Sequence, residues 1–300
     1  MSDNTTLLQN EQAYYAEAFS RNLFTKEEQA LLRKSTIAIG GLGAVGEMYA
    51  MSFARLGISN FRISDLDVFN IVNMNRQVGA TVANLDRSKT EVTKEIILSI
   101  NPFASVKTFE GGITPKDIDE FLNGADVVLD GMDFFNPKMR RLMYNKAREH
   151  GLYVIGAAPI GYGSSLMVVD PKGMSFDEYF DMRDNMSEED MLVRFAMGLA
   201  PALIQKAYFM PNIPAFKAGK ALSLVTGVLA CGSFVTCETV KLLTGKKVLT
   251  IPTTSQFDPY VRKFKQVTVR RGNRALMQRI KISVMTKRLK KVGAPSQSSA

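Results

Sequence analysis

The sequence predicts an α/β fold: a doubly wound, mostly parallel sheet with helices on both faces, followed by a basic C-terminal helical tail. Three observations carry this. Short apolar strands alternate with helical stretches from Ser35 to Gly156, the pattern of right-handed crossovers. A glycine-rich turn, Gly40 to Gly46, joins the first strand to its helix. An acid, Asp65, closes the second strand.

The elements follow in order. Thr25-Lys-Glu-Glu28 is a capping box that opens a short helix to Leu32. Ser35 to Ile39 is the first strand, and Ala44 to Leu56 the helix after the glycine turn. Asn60 to Asp65 is the second strand. Asp86 to Ile100 is helical until Asn101-Pro102 stops it. Ser105 to Phe109 is the third strand, and Thr114-Pro-Lys-Asp117 starts a helix with proline at its first position. Ala125 to Asp130 and Tyr153 to Gly156 are the fourth and fifth strands, separated by a helix from Asn136 to His150 that Gly151 ends.

Ser164 to Val169 is a further strand. Met174 to Pro214 is expected to form helices over the sheet, and Lys217 to Leu243 an apolar helix broken by Gly227 and Gly232. Lys220, Glu238 and Lys241 interrupt that run, so a buried core helix is expected rather than a membrane span. Asn273 to Leu289, with Leu276, Ile280 and Val284 at helical spacing, reads as an amphipathic helix.

The charge is uneven. Of 38 Lys+Arg, 12 lie between Arg262 and Ala300, where there is no acid; the remainder carries 26 basic and 29 acidic residues. A slightly acidic body thus bears a basic appendage suited to RNA, anionic lipid or an acidic protein surface. The single histidine, His150, sits at a helix end and is expected to face the last carbonyls. Cys231 and Cys237 are six apart, which excludes a Cys-x-x-Cys zinc site. Both are expected to be small buried residues. Met1 to Asn10 is polar, without the apolar run of a signal peptide, and a cytoplasmic location is expected.

Gly41-Leu-Gly43-Ala-Val-Gly46 fits G-x-G-x-x-G in its proper strand-turn-helix setting. Gly41 permits the tight turn, Gly43 lets backbone approach a phosphate, and Gly46 lets the helix pack on the sheet. Asp65 falls near the offset at which an acid takes ribose hydroxyls. These features alone fit an NAD(P)-dependent oxidoreductase as well as an ATP enzyme. The next segment, Asp65-Leu-Asp67 through Asn73, Arg76 and Gln77, with Lys89 beyond it, adds cations that a dinucleotide already held by backbone does not need. Two cations plus a carboxylate, with Asp130 and Asp133 both in place to supply it, suit a triphosphate and Mg²⁺.

This combination, with Asn101-Pro102 and Asp130-x-x-Asp133, resembles the ThiF/MoeB family of ATP-dependent adenylyltransferases, relatives of ubiquitin-activating enzymes. The resemblance spans about Arg21 to Gly245. It implies a Rossmann-like adenylation domain over 35–260, with 1–34 as an N-terminal helical arm, 174–214 as a substrate-side helical insertion and 261–300 as the basic appendage. It implies a homodimer that uses MgATP to convert a substrate carboxylate to an acyl-adenylate, releasing pyrophosphate. The carboxylate is that of a ubiquitin-like or sulfur-carrier C-terminus, a peptide or a small molecule, or, in one branch, a modified tRNA.

By resemblance, Asp65 binds ribose and Asp67 belongs with it to the nucleotide-binding set. Asn73, Arg76 and Gln77 line the triphosphate, Lys89 contacts phosphate, and Asp133 holds Mg²⁺. Arg21 resembles an arginine supplied by the partner subunit. This chain departs from the family in lacking paired Cys-x-x-Cys motifs, in having no cysteine between Pro159 and Leu222, and in carrying Met132 and Phe134 around Asp133. An enzyme-bound thioester is therefore not expected.

Overall fold

The structure is a computed structural model that describes residues 4–209, 219 and 222–292. Strand β1 (Thr36–Gly40) lies between β2 (Asn60–Ser64) and β4 (Val127–Asp130). Beyond them lie β3 (Ser105–Phe109) beside β2 and β5 (Tyr153–Ile160) beside β4, all paired parallel. The sheet continues antiparallel through β6 (Gly163–Val169), β7 (Thr253–Asp258) and β8 (Lys263–Thr268). The order β3-β2-β1-β4-β5-β6-β7-β8 gives one eight-stranded sheet, flanked by helices as the α/β reading predicts.

Alternating side chains assign the two faces. Ile37, Ile39, Val127, Leu129, Ile155 and Val168 point to one core; Ala38, Val128, Val154, Met167 and Val169 point to the other. Strands apolar on both faces are those of a sheet covered on both sides. Before β1 come α1 (Asn4–Gln9), α2 (Glu11–Ala18) and α3 (Lys26–Lys34). Thr25 caps α3 reciprocally with Glu28, as its sequence predicts. The first core packs α4 (Ala44–Arg55) and α11 (Val225–Leu243) on the sheet; α5 (Lys89–Ile100) lies against α4. The second packs α6 (Ile118–Leu122), α7 (Pro137–Glu149), α8 (Phe176–Phe180) and α9 (Glu188–Leu199). Each fully buried Leu or Ile contributes roughly 1.5–3 kcal/mol.

Helix α11 is long and apolar enough to cross a membrane by length and composition. Its buried side, Val228, Cys231, Gly232, Val235 and Thr239, lies against β5, β6 and α4 instead. The helix begins at Val225; of the predicted start, residues 217, 218, 220 and 221 lie outside the described residues, as does 210–214 of the predicted insertion. Helix α10 (Lys206–Phe209) ends the described part of that insertion. Cys231 is buried, but Cys237 is exposed, because it falls on the outer side of α11. His150 caps α7 as a residue, yet its ring pairs with Asp119 Oδ1 at 2.9 Å and not with the helix carbonyls.

The expected boundary at 261 needs correction. It falls inside the β7–β8 hairpin, so residues 263–268 complete the sheet edge. The tail helix, α12 (Leu276–Val292), is docked as well. Met285 and Leu289 are buried against Val193 and Met197 of α9, and Lys281 Nζ donates to the Pro201 carbonyl over 2.7 Å. Apolar positions one turn apart anchor a helix whose charge count alone marked it as separate.

Candidate functional site

The predicted nucleotide residues gather at the C-terminal ends of β1, β2 and β4, where the crossover direction reverses. Open α/β sheets place ligands at this switch point. Gly41 sits in the centre: its N–H donates to the Ser64 carbonyl over 2.8 Å, while the Gly131 N–H donates to the Gly40 carbonyl over 2.9 Å. Gly41 has φ +88°, and a Cβ there would lie 2.6 Å from the Gly131 backbone. A Cβ on Gly46 would lie 1.9 Å from the Gly41 oxygen, and one on Gly131 2.2 Å from the same oxygen. The three glycines interlock backbone to backbone. Gly43 differs: a Cβ there would meet only the Gly131 oxygen at 3.9 Å. Gly43 also precedes α4 as its N-cap without a side-chain cap, so no side chain of the protein takes the helix N-terminus, the setting for an anion.

Asp65 holds this loop. Its Oδ2 accepts from the Leu42 N–H at 2.6 Å and its Oδ1 from the Asp67 N–H at 2.8 Å. Asp67 in turn accepts from Lys89 Nζ at 2.9 Å; the lysine stem is buried while the aspartate is exposed. Lys89 opens α5 and its backbone N–H donates to the Asp67 carbonyl, which fixes the start of that helix beside the loop. Asn73 is buried and uses its carbonyl oxygen to accept the Asn70 N–H at 2.9 Å, shaping the turn that leads to Arg76. Arg76 donates to the Val72 carbonyl and to Asn75 Oδ1, both at 2.8 Å, and has no carboxylate partner among the described residues. Gln77 is buried, with its Oε1 lacking a hydrogen-bond partner.

The two acids after β4 separate cleanly. Asp130 is buried and accepts from Arg140 Nε at 2.8 Å, Tyr144 OH at 3.0 Å and the Met132 N–H at 3.1 Å. Its lone pairs are used within the fold. Asp133 is exposed; one oxygen accepts the Phe135 N–H at 3.0 Å and the other faces outward without a partner among the described residues. No group of three or more His, Cys, Asp or Glu gathers among the described residues. A single outward carboxylate suits Mg²⁺ that arrives on phosphate oxygens, since this ion is usually held by one or two carboxylates plus substrate.

Sequence reading missed Glu47. It directly follows Gly46, is buried, and accepts the Gly79 N–H at 3.1 Å through Oε1, leaving Oε2 without a partner. Burial pushes its carboxyl up to about 8, against the pull of the Gly79 N–H and of nearby Lys89. An acid at a buried helix position one residue past the glycine motif was the available signal.

Arg21 is not brought to this end within one chain. It follows α2, whose Tyr14 donates to the Ile100 carbonyl and whose Tyr15 bonds Ser59 and Asn101, all at the opposite ends of the strands. Cys231 is fully buried beside Ser164, and burial pushes its thiol up to about 12, which makes it inert as a nucleophile.

Next to the glycine-loop end of the sheet lies a cavity of about 760 Å³. Arg76 and Phe134, the residue after Asp133, line its near side, and α9, α10, the start of α11 and α12 complete it.

A model of the ThiF family matches residues 15–278. The chain is 33% identical over 137 residues to a tRNA threonylcarbamoyladenosine dehydratase of Haemophilus influenzae, covering 45% of this chain and 52% of that one. It is 29% identical over 143 residues to the sulfur carrier protein ThiS adenylyltransferase of Escherichia coli, covering 48% and 56%. The chain thus spans about half the length of the curated relatives it matches. Among solved structures, PaaA aligns with TM-score 0.63 at 19% identity over 89% of this chain and 84% of that one. Escherichia coli MccB with ATP aligns with TM-score 0.61 at 15% identity over 92% and 75%. At these identities the structures share the fold.

Proposed function

The chain belongs to the ThiF family, and from that premise we propose that it adenylates a substrate carboxylate with MgATP. One observation carries the reading: an anion-ready glycine loop, the Lys89 and Arg76 cations and the outward carboxylate of Asp133 converge at one sheet end. In this reading, ATP lays its phosphates along the Gly43 opening and the N-terminus of α4. Asp65, already holding the loop, turns its carboxylate toward the ribose. Arg76 and Lys89 neutralise the triphosphate, and charge moving onto pyrophosphate is stabilised by these fixed cations. The substrate carboxylate attacks the α-phosphorus, pyrophosphate leaves, and an acyl-adenylate results. Asp133 would hold Mg²⁺, which would supply charge neutralisation on the phosphate oxygens.

The relatives' names support adenylation as the reaction class, and the MccB structure with ATP supports the nucleotide. An oxidoreductase explains Gly41 to Gly46 and Asp65 but leaves Arg76, Lys89 and Asp133 without a task. In this reading the acceptor nucleophile comes from outside the protein: Cys231 is buried and inert, and the exposed Cys237 lies on the outer side of α11. A cytoplasmic setting suits this ATP chemistry.

A homodimer belongs to the same reading. Leu66, Ile71, Val72 and Val82 are exposed around the Asn73 turn, and Leu224, Val225 and Leu229 are exposed at the start of α11. Asn75 Nδ2 donates to the Ser223 carbonyl at 3.2 Å, which joins the two stretches into one apolar area. Across such an interface Arg21 reaches the partner's triphosphate.

Exchange of labelled pyrophosphate into ATP tests the function, using ubiquitin-like C-termini, peptides, small acids and tRNA as candidate substrates. Arg76→Ala is expected to lose exchange by about 100-fold or more; unchanged exchange and ATP binding in this variant would refute the assignment. A second reading, activation of a modified tRNA carboxylate, is favoured by the dehydratase similarity and the exposed Lys287, Lys290 and Lys291 of α12. Exchange dependent on tRNA alone would select it.

A further inference from the structure

We infer that the carboxylate activated here belongs to a small amphipathic acid, with its apolar body in the 760 Å³ cavity and a second anionic group met by Lys281 and Arg288. This rests on the adenylation reading and names its substrate class.

The cavity has the size of a small-molecule site, for which roughly 300–1,000 Å³ is usual. Its walls are mainly hydrocarbon: Met197, Leu203, Leu222, Leu224, Ile280 and Val284. The charged residues among its lining are Arg76, Lys206, Lys281 and Arg288, with no Asp or Glu. None of these four is paired with a carboxylate among the described residues.

Lys281 is the most telling. Its ammonium donates to the Pro201 carbonyl at 2.7 Å and to Gln278 Oε1 at 3.1 Å, both neutral. A partly desolvated cation given only neutral partners is costly, and an anionic ligand offsets that cost. Burial accordingly holds this lysine below the ordinary lysine range. Residues 281, 284 and 288 recur at helical spacing, so one stripe of α12 presents cation, hydrocarbon and cation to the cavity.

The near side supplies the other end. Arg76 lines both the cavity and the proposed triphosphate path, and Phe134 joins the cavity wall to Asp133. An acid lying in the cavity therefore brings one carboxylate toward the α-phosphate and its second anion toward α12. A nucleic acid would need its phosphates and stacked bases on an open face, whereas this lining is apolar and concave.

Dodecanedioate, decanoate and succinate are suitable probes for the full chain. Calorimetry without ATP reads binding, and pyrophosphate exchange reads activation. Dodecanedioate is expected to bind and exchange at least about 10-fold better than decanoate, and succinate to do neither well. Arg288 is exposed, so Arg288→Gln should fold, which a melting curve checks. This variant is expected to erase the diacid's advantage, since one charge-assisted bond is worth about 10-fold or more. Val284→Asp should weaken both long acids. Exchange with tRNA or a protein C-terminus, while no diacid binds, overturns the inference and spares adenylation. Diacid binding with no exchange for any carboxylate overturns adenylation, and with it the inference as stated.

Discussion

Asp130 and Arg140 form a buried ion pair, Nε to Oδ2 at 2.8 Å, with Tyr144 OH on the same oxygen. Arg140 also donates to the Met132 carbonyl at 2.7 Å and lies over the Phe195 ring at 4.5 Å. The pair therefore shapes the loop that carries Asp133. Of two acids three positions apart, one is structural and the other is left exposed.

Removing one partner of such a pair leaves a buried charge alone. Arg140→Ala is expected to cost about 3–5 kcal/mol in urea unfolding. Asp133→Ala should stay within about 0.5 kcal/mol of the parent and still lose pyrophosphate exchange by about 100-fold. If Asp133→Ala destabilises and Arg140→Ala does not, the roles are reversed.

The glycine motif divides by variant. Gly43→Ala is expected to fold normally, because its methyl enters open space, but to weaken ATP binding by occupying the phosphate path. Gly46→Ala forces a carbon 1.9 Å from the Gly41 oxygen and should fail to fold or melt far lower. Calorimetry with ATP alongside melting curves separates the two. Full ATP affinity in a folded Gly43→Ala protein would remove the phosphate from this opening.

Glu47 predicts a pH dependence. Its carboxyl is raised from 4.5 to about 8 in the folded state, so the folded chain holds a proton that the unfolded chain releases. Stability is then highest below the unfolded value and declines as pH rises toward 8, by at most about 1.4 kcal/mol per unit. Glu47→Gln should flatten this decline between pH 5.5 and 7.5, gaining about 1–3 kcal/mol over the parent at the upper end. Parallel unfolding profiles for the two proteins would contradict it.

The proposed dimer has a complementation test. Val72→Asp should convert a dimer to a monomer in light scattering, since a charge enters an apolar contact. Mixing inactive Arg21→Ala and Arg76→Ala proteins should restore about a quarter of the activity, because half the dimers then hold one intact site in a symmetric pair. No restoration would place Arg21 outside the site.

The parallel half was legible because β1, β4 and β5 are short apolar runs between helices, while β2 and β3 set Phe61 and Ile63, or Val106 and Phe109, among polar residues; only boundaries moved, and β5 runs on to Ile160 where Gly156 was expected to end it. Strands β7 and β8 were not legible. Thr253 to Asp258 is mostly polar, and β8 alternates Lys263, Phe264 and Lys265 on an exposed edge, so its charges masked its pairing. The site residues were visible as a motif set, but the commitment of Asp130 depends on Arg140 and Tyr144, ten and fourteen positions later, which no local pattern announces. The cavity was invisible because it joins the Arg76 turn to α12, some two hundred residues away in the chain. Charge counting marked a basic appendage where Met285 and Leu289 make it a wall.

Gly41, Gly46 and Gly131 touch through main chain alone, with no side chain between the loop after β1 and the loop after β4. These two loops are therefore one mechanical part: neither can tilt or lengthen without the other. If the proposed ATP site is right, engineering toward a different nucleotide has to act at the rim, through Asp65, Arg76 or Lys89, because the hub has no room in which a compensating change can be made.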